Sequence, residues 1–232
     1  MLWTPEEGFF LLEKHIARLL DSAEYFGFPI SATQRWSSCP ERSDAQSKGV
    51  SRPPLPKEII EMYLNDISSE FTFPQRVRLL LDKNNNLSHE SKPFLLQPPS
   101  SAAGTPPGAN IKVSLAKKSI TSSDVFLFHK TTQREVYECA RKDFAGYDDV
   151  LLFNERGELT EFTIGNLVVE MDGKLYTPPI SCGILAGTFR AHLLETDQVK
   201  EKVIRVEELG KCSKVFLVNS VRKWQKVELI IT

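Results

Sequence analysis

The sequence predicts an α/β protein of two domains, and three observations support this class. The 232 residues, 41% of them hydrophobic and 25% charged, suffice for one large or two small domains with a buried core. Helix-period and strand-period patterns occur in turn along the chain. Near residue 120 a loop-rich part gives way to nearly continuous structure. We therefore expect a smaller α/β domain over residues 1–120 and a larger domain over 121–232, in an α+β type arrangement.

Helices, strands and two loops can be placed in the first domain. Gly27 and Pro29 stop the first helical pattern, and Pro56 is suited to the start of the second helix. The loops are rich in Pro, Ser and Gly, cannot bury much apolar area, and are therefore expected to be mobile. The predicted elements are helices over 10–26 and 56–69, strands over 76–82 and 111–116, and loops over 37–56 and 88–110.

The predicted elements of the second domain follow one another more closely than those of the first domain. Turns are predicted at ERGE (155–158) and MDGK (171–174), because each places a glycine between two strand-like runs. The predicted elements are helices over 132–142 and 188–195 and strands over 150–154, 166–171, 174–177, 203–206, 214–218 and 227–231.

Charge, cysteine content and hydropathy exclude several classes of partner. Lys and Arg number 29 against 30 for Asp and Glu, so the net charge of −1 provides no bulk field for nucleic acid or anionic lipid. The four cysteines are scattered and have no zinc-ligand spacing. No apolar run of 18 residues and no signal peptide is present. We expect a cytoplasmic protein that binds no nucleic acid, membrane or metal.

Lys130 is a candidate nucleophile. It lies between the apolar run VFLF and a predicted helix whose start is marked by Thr131 and Thr132. At such a junction of domains a lysine stem rests on apolar surface, where desolvation lowers the pKa and frees the amine to form a Schiff base. For an arbitrary lysine, a solvated surface amine is the commoner interpretation.

Glu161 and a glycine turn are two further candidates. Glu161 interrupts an apolar, Thr-rich segment at the start of a strand, so it must be exposed, paired or bound to a cation such as a protonated pyridine nitrogen. A capped turn is the structural alternative. The segment CGILAG (182–187) leads directly into a helix, and the amino end of a helix can bind phosphate, although most such turns only cap helices.

Together, these parts and the sequence around them resemble a known family. The similar segments are ARLLDSAEYFGFP, VRLLLD, HKTTQREVYE, DDVLLFNERGELTEFTIGNLVVE, CGILAGTFRAHLLE and KVFLVNSVRKW. The chain is similar to the fold type IV pyridoxal-phosphate enzymes, the class IV aminotransferase family with the D-amino-acid aminotransferase-like fold. It looks most like the aminodeoxychorismate lyase branch, and the resemblance runs from Phe9 to the C-terminus outside the two loops.

The resemblance implies a role for each site residue. It makes Lys130 the Schiff-base lysine and Glu161 the partner of the pyridine nitrogen, and both are the expected catalytic residues. Asn166 is either a supporting hydrogen-bond donor or structural. The resemblance assigns cofactor contacts to Arg18, Lys130, Glu161, Thr188, Phe189 and Ser220, the phosphate being held by the Arg18 and Ser220 side chains and the amides of Thr188 and Phe189.

The same resemblance implies the cofactor, its place and the assembly. Pyridoxal 5'-phosphate is expected in a cleft between the two domains, bound mainly by the larger C-terminal one, in a homodimer. Met1, Leu2 and Trp3 align just after a strand that carries substrate-side residues in the family, so we expect that N-terminal strand to be missing here. Taken on its residues alone, Arg18 would be an exposed helix arginine.

Three functions are open, and the resemblance implies the first two. The first is a lyase that converts 4-amino-4-deoxychorismate into 4-aminobenzoate and pyruvate for folate biosynthesis. The second is a class IV aminotransferase, a transferase acting on branched-chain amino acids, D-amino acids or amines. Both use a small-molecule amino substrate. The third, from a different class, is a cofactor-free or degenerate binding protein, which the absorbance of bound cofactor would exclude.

Overall fold

A computed structural model describes residues 1–28, 55–95 and 110–230. The chain divides into two compact units, Met1–Leu96 and Gln97–Thr232. Composition placed the start of the second domain near residue 120, whereas the strand Ile111–Leu115 already belongs to the second unit, because it pairs in parallel with two strands of that unit. Within the described ranges, no helix is long and apolar enough to cross a membrane.

The first unit is a small antiparallel sheet with two helices. Its elements are β1 (Leu2–Thr4), β2 (Gly8–Phe9), α1 (Leu12–Tyr25), α2 (Lys57–Ser68), β3 (Gln75–Leu81) and β4 (Leu87–Pro93). The sheet has the strand order β2-β1-β3-β4. The helices contribute Ile16, Ile60 and Leu64 to a buried cluster, and the first helix ends where Gly27 takes a φ of +72°. Both predicted helices are therefore confirmed to within two residues.

The loop predicted over 88–110 is wrong in its first part. Residues 88–93 belong to β4, which pairs with β3 along its whole length, from Leu81 opposite Leu87 to Gln75 opposite Pro93. The strand lies at the edge of its sheet and is mostly exposed, so its polar sequence SHESK carries no apolar alternation. The other predicted loop residues, 37–54 and 96–109, lie outside the described residues.

The second unit is built around a closed sheet. The elements are β5 (Ile111–Leu115), α3 (Val125–Phe128), α4 (Glu135–Arg141), β6 (Asp149–Phe153), β7 (Leu159–Phe162), β8 (Asn166–Met171), β9 (Lys174–Thr177), α5 (Thr188–Glu195), β10 (Lys200–Glu201), β11 (Lys214–Asn219) and β12 (Lys223–Ile230). β7 pairs with both β6 and β8, so the six strands β8-β11-β12-β5-β6-β7 form a ring, and β9 and β10 extend it beside β8.

Two apolar clusters stabilise this sheet. One is formed by alternate residues of the ring strands, including Val113, Leu151, Phe162 and Leu217. The other packs α3 and α4 against β6 through residues such as Leu127. Burial of such side chains contributes roughly 1.5–3 kcal/mol each. The second cluster fixes the segment between α3 and α4, which carries Lys130.

Two predicted elements of the second unit differ from the structure. The strand predicted over 203–206 is absent: Arg205 begins a 3-10 helix (Val206–Lys211), and the Glu208 carboxylate accepts the Arg205 N–H at 2.9 Å. The helix predicted from Thr132 begins only at Glu135, because Thr131 Oγ1 accepts the Gln133 N–H at 3.2 Å and holds a turn there. The MDGK turn is confirmed, with a positive φ at both of its central residues.

Candidate active site

A buried glutamate lies at the centre of the candidate site. Glu161 is in β7, directly opposite Asn166 of β8, and is only 3% exposed. Its Oε1 accepts hydrogen bonds from the Tyr137 hydroxyl at 2.7 Å and from the Leu185 backbone N–H at 3.1 Å. Its Oε2 accepts one from Asn166 Nδ2 at 2.9 Å. Three different chain segments therefore hold this carboxyl group.

The electrostatic state of Glu161 reflects its burial. Loss of solvent raises its pKa from 4.5 to about 7, against the hydrogen bonds from Tyr137 and Leu185 and the nearby charges of Lys130 and Arg134, all of which lower it. A carboxylate oxygen can accept two hydrogen bonds, so Oε2 retains one acceptor position. A buried acceptor with a raised pKa gains much from a cation that donates a hydrogen bond to it.

Lys130 lies in the short segment between α3 and α4. It is exposed, so the desolvation expected from the sequence is not found in this structure. Its charge nevertheless acts on Glu161 and favours the ionised carboxylate. The structure therefore brings the two predicted catalytic residues into one electrostatic environment within the second unit.

The glycine turn is joined to Glu161 through Asn166. The Asn166 Nδ2 group that binds Glu161 also donates to the Leu185 carbonyl at 2.8 Å. A Cβ on Gly187 would lie 1.8 Å from Asn166 Oδ1, so only glycine permits this approach. Asn166 thus supports Glu161 and also fixes the turn that leads into α5, so its contacts agree with both of its interpretations.

The first residues of α5 and the β11–β12 turn lie in the second unit, which also contains Glu161. Thr188 and Phe189 begin α5 and are buried, and the amino end of a helix favours an anion. The Phe189 ring meets Trp224 of β12 edge to face, with centroids 6.3 Å apart. Ser220, also buried, directly follows β11. Their contacts with phosphate stay predictions.

Arg18 belongs to the other unit. It lies in the middle of α1 and is half-buried, rather than fully exposed as an isolated helix arginine would be. Its assignment to the phosphate rests on the resemblance alone and stays a prediction.

Sequence reasoning missed two residues of the site, Arg134 and Tyr137. The Arg134 guanidinium carbon lies 4.7 Å from the centre of the Tyr137 ring, and its Nη2 donates to the Thr163 carbonyl at 2.6 Å. Arg141 reaches the same residue, at Thr163 Oγ1 (3.3 Å). Arg134 directly precedes α4, and Arg141 lies four positions after Tyr137 on the same face of that helix, so the two arginines beside a helix face that packs against a sheet were the available signal.

Comparison with known proteins identifies the family. The profile of the family described as amino-transferase class IV matches residues 1–230. The chain belongs to this family. Its members are pyridoxal-phosphate-dependent enzymes of fold type IV, so the predicted family, fold and enzyme class are confirmed.

Two relatives of this class IV chain are named for different activities, one for a lyase and one for an aminotransferase. A candidate aminodeoxychorismate lyase of Schizosaccharomyces pombe is 36% identical over 120 residues, which are 49% of this chain and 52% of that protein. A candidate branched-chain-amino-acid aminotransferase of Thermotoga maritima is 25% identical over 217 residues, 91% of this chain and 68% of that protein. The match with the first relative thus spans only about half of its length.

Solved structures confirm the fold. A candidate amino-acid aminotransferase from Mesorhizobium loti has a TM-score of 0.78 at 29% identity, over 99% of this chain and 97% of that one. A candidate 4-amino-4-deoxychorismate lyase from Legionella pneumophila has a TM-score of 0.73 at 18% identity, over 99% and 80%. The second likeness supports the fold alone.

The residues of this class IV site fit pyridoxal phosphate. The open acceptor position on Glu161 Oε2 suits a protonated ring nitrogen, and the amine of Lys130, whose charge acts on that same carboxylate, suits the aldehyde. The glycine turn and the start of α5 suit the phosphate. A cation bound at Glu161 would lower the pKa of this carboxyl group and so offset the effect of burial.

Glu161 should make the stability of the protein without added cofactor depend on pH. Its pKa rises on folding from 4.5 to about 7, so the folded state binds more protons between these values and stability falls as pH increases through this window. The loss should be about 3 kcal/mol by pH 8. Urea unfolding from pH 4.5 to pH 8 measures it. Glu161→Gln should flatten this dependence, and an unchanged slope would contradict the environment described.

Gly187→Ala should destabilise the site more than an ordinary glycine substitution. The added Cβ must displace Asn166 Oδ1 and with it the hydrogen bonds to Glu161 and Leu185, so we expect a loss of about 2–3 kcal/mol in the free energy of unfolding. Gly210→Ala is the matched control, since a Cβ there has no atom within 4 Å. Equal unfolding midpoints for the two variants would show that Asn166 can move at no cost.

Proposed function

We propose that this protein is a pyridoxal-phosphate-dependent lyase that converts 4-amino-4-deoxychorismate into 4-aminobenzoate and pyruvate. The observation that carries the proposal is the 36% identity with a candidate aminodeoxychorismate lyase over 120 residues. A role in folate synthesis, a cytoplasmic location and a homodimer belong to the same proposal and rest on the resemblance. The site residues support a pyridoxal-phosphate enzyme by supplying an amine, a buried carboxylate and a helix terminus in one unit.

Bound pyridoxal phosphate would supply an electron sink beside the carbon that carries the substrate amine. The Nζ amine of Lys130 would bind the aldehyde, yield to the substrate amine, and then remove a proton from that carbon. The neighbouring C–O bond breaks, the three-carbon group leaves as the enol of pyruvate, and the ring becomes aromatic. Lys130 can return the proton as the enol becomes pyruvate.

Glu161 has a separate task in this proposal. Its ionised carboxylate would hold the proton on the ring nitrogen through the acceptor position on Oε2. Asn166 and the Leu185 N–H keep the carboxylate in place, and the burial of Glu161 excludes water that would weaken the interaction.

An aminotransferase is the second candidate, and the Mesorhizobium loti structure favours it. That protein bears the name of an amino-acid aminotransferase and is 29% identical over almost the full length of both chains. The steps at Lys130 and Glu161 would begin in the same way. The difference is that no C–O bond would break: Lys130 would move the proton so that the donor loses its amine and leaves as an oxo acid, and the amine would then pass to a second 2-oxo acid.

One assay distinguishes the two activities. The protein loaded with pyridoxal phosphate is incubated with 4-amino-4-deoxychorismate alone, and separately with a panel of amines and amino acids plus 2-oxoglutarate or pyruvate. The lyase proposal predicts equal amounts of 4-aminobenzoate and pyruvate without any oxo acid. New amino acids that form only with an oxo acid, and no 4-aminobenzoate, would establish the aminotransferase instead. A protein that acquires no cofactor absorbance would support a binding role.

A further inference from the structure

The hydroxyl group of Tyr137 has an unusual position for a helix tyrosine. Tyr137 lies in α4, is 8% exposed, and donates its only hydroxyl hydrogen to Glu161 Oε1 at 2.7 Å. Burial and the neighbouring carboxylate raise the pKa of this phenol, so it stays protonated and keeps donating. Nothing in the proposed reaction requires a tyrosine here, since Lys130 moves the protons.

The surroundings of Tyr137 make it a strong and fixed donor. The guanidinium of Arg134 lies over its ring at 4.7 Å, and a cation close to a phenol strengthens the hydroxyl as a donor. Arg134 is itself anchored on the Thr163 carbonyl, in the turn that joins β7 to β8. The helix and the strand pair that carry Tyr137 and Glu161 are therefore tied together at a second point.

Several charged groups act on Glu161 through their charge, whereas Tyr137 acts through a hydrogen bond. Arg134 and Lys130 act from the α4 side and Arg190 from α5, each through its charge. Among the described residues, Tyr137 alone donates a side-chain hydroxyl to Glu161, and it donates to Oε1, whereas the open acceptor position is on Oε2. It can stabilise the anion while leaving Oε2 available.

We propose that Tyr137 is a positioning residue that keeps Glu161 ionised and fixed in orientation, so that Oε2 can hold the ring nitrogen of the cofactor. The proposal rests on the proposed role of Glu161 and extends it to a residue that would not touch cofactor or substrate. Its chemistry is a charge-assisted hydrogen bond between two buried side chains, which is stronger than the same bond between groups in water.

Tyr137→Phe tests the proposal, with Tyr147→Phe as the matched control. Tyr147 packs beside the same apolar cluster, its ring 5.9 Å from Phe144, and within the described ranges its hydroxyl has no hydrogen-bond partner. The carboxyl of Glu161 is titrated by ¹³C NMR in the full chain before cofactor is added, and Glu161→Gln assigns its signal. We expect a higher titration midpoint in Tyr137→Phe and the wild-type midpoint in Tyr147→Phe.

The second measurement is cofactor binding, followed by visible absorbance as pyridoxal phosphate is added. Tyr137→Phe should weaken the affinity roughly tenfold and Tyr147→Phe should leave it unchanged. Replacement of Tyr137 by 3-fluorotyrosine, a stronger donor of the same shape, should lower the Glu161 midpoint and serves if the phenylalanine variant does not fold.

The outcomes separate this proposal from the proposed function. A Glu161 midpoint that does not move, or that moves the wrong way with fluorotyrosine, would overturn the role of Tyr137 whatever the activity. A wild-type protein that binds no pyridoxal phosphate would instead overturn the proposed function. The hydrogen bond between Tyr137 and Glu161 would then have no role in cofactor binding, even if the titration midpoint of Glu161 moves as expected.

Discussion

Lys130→Ala is expected to abolish covalent attachment of pyridoxal phosphate and to lower turnover by roughly 10²–10⁴-fold from the loss of proton transfer alone. The charge of Lys130 acts on Glu161 and lowers its pKa, which places this amine near the carboxylate. Because the residue is exposed, its removal should cost little stability. Visible absorbance after dialysis and steady-state turnover measure the two losses.

Lys142→Ala is the matched control for this prediction. Lys142 follows the last residue of α4, so it is a nearby lysine on the same segment, and its replacement should preserve both absorbance and turnover. The assignment of Lys130 would be wrong if the alanine variant at 130 kept the absorbance of lysine-bound cofactor, or if both variants lost it equally.

Glu161→Gln is expected to retain the cofactor through its bond to Lys130, with an affinity lowered at least as much as in Tyr137→Phe, and to lower turnover by roughly 10²–10³-fold, the usual cost of removing one preorganised electrostatic group. Glutamine has the size of glutamate but no charge, so it cannot hold the ring nitrogen protonated. The loss should fall on kcat. Turnover per folded molecule is the quantity to compare, together with the melting temperature of each variant.

Glu158→Gln provides the comparison for a buried glutamate without a catalytic task. Glu158 is 9% exposed and pairs with Arg156 at 2.7 Å, which lowers its pKa. Its replacement should reduce the melting temperature and leave turnover per folded molecule unchanged. If Glu161→Gln gave this same pattern, Glu161 would be a structural residue at the start of a strand, as its alternative interpretation holds.

The sequence predicted those parts of the fold in which local pattern and burial agree. α1 and α2 have one apolar stripe each, and the MDGK turn has the residues that a tight hairpin needs, so all three were found at their positions. β4 was missed because an exposed edge strand shows no apolar alternation. The strand predicted over 203–206 was wrong because the hydrogen bond of Glu208 to Arg205 starts a 3-10 helix there.

The site was predictable only where a family motif contains the residue. Lys130 and Glu161 were each a weak signal alone. Their order along the chain, followed by the glycine turn, was specific to the family. Tyr137 gave none, because its contact depends on how α4 packs against β7, and a tyrosine in an amphipathic helix ordinarily belongs to the core. The need for Gly187 also depends on a tertiary contact, since Asn166 lies 21 positions earlier in the sequence.

The most direct measurement of the cofactor site is chemical labelling of the wild-type protein. Protein loaded with pyridoxal phosphate is reduced with borohydride, which fixes the cofactor on the lysine that holds it, and the peptides are then mapped by mass spectrometry. A pyridoxyl label on Lys130 is the predicted result. A label on any other lysine, Lys142 and Lys174 among them, would contradict the placement of the cofactor and the functions assigned to Lys130 and Glu161.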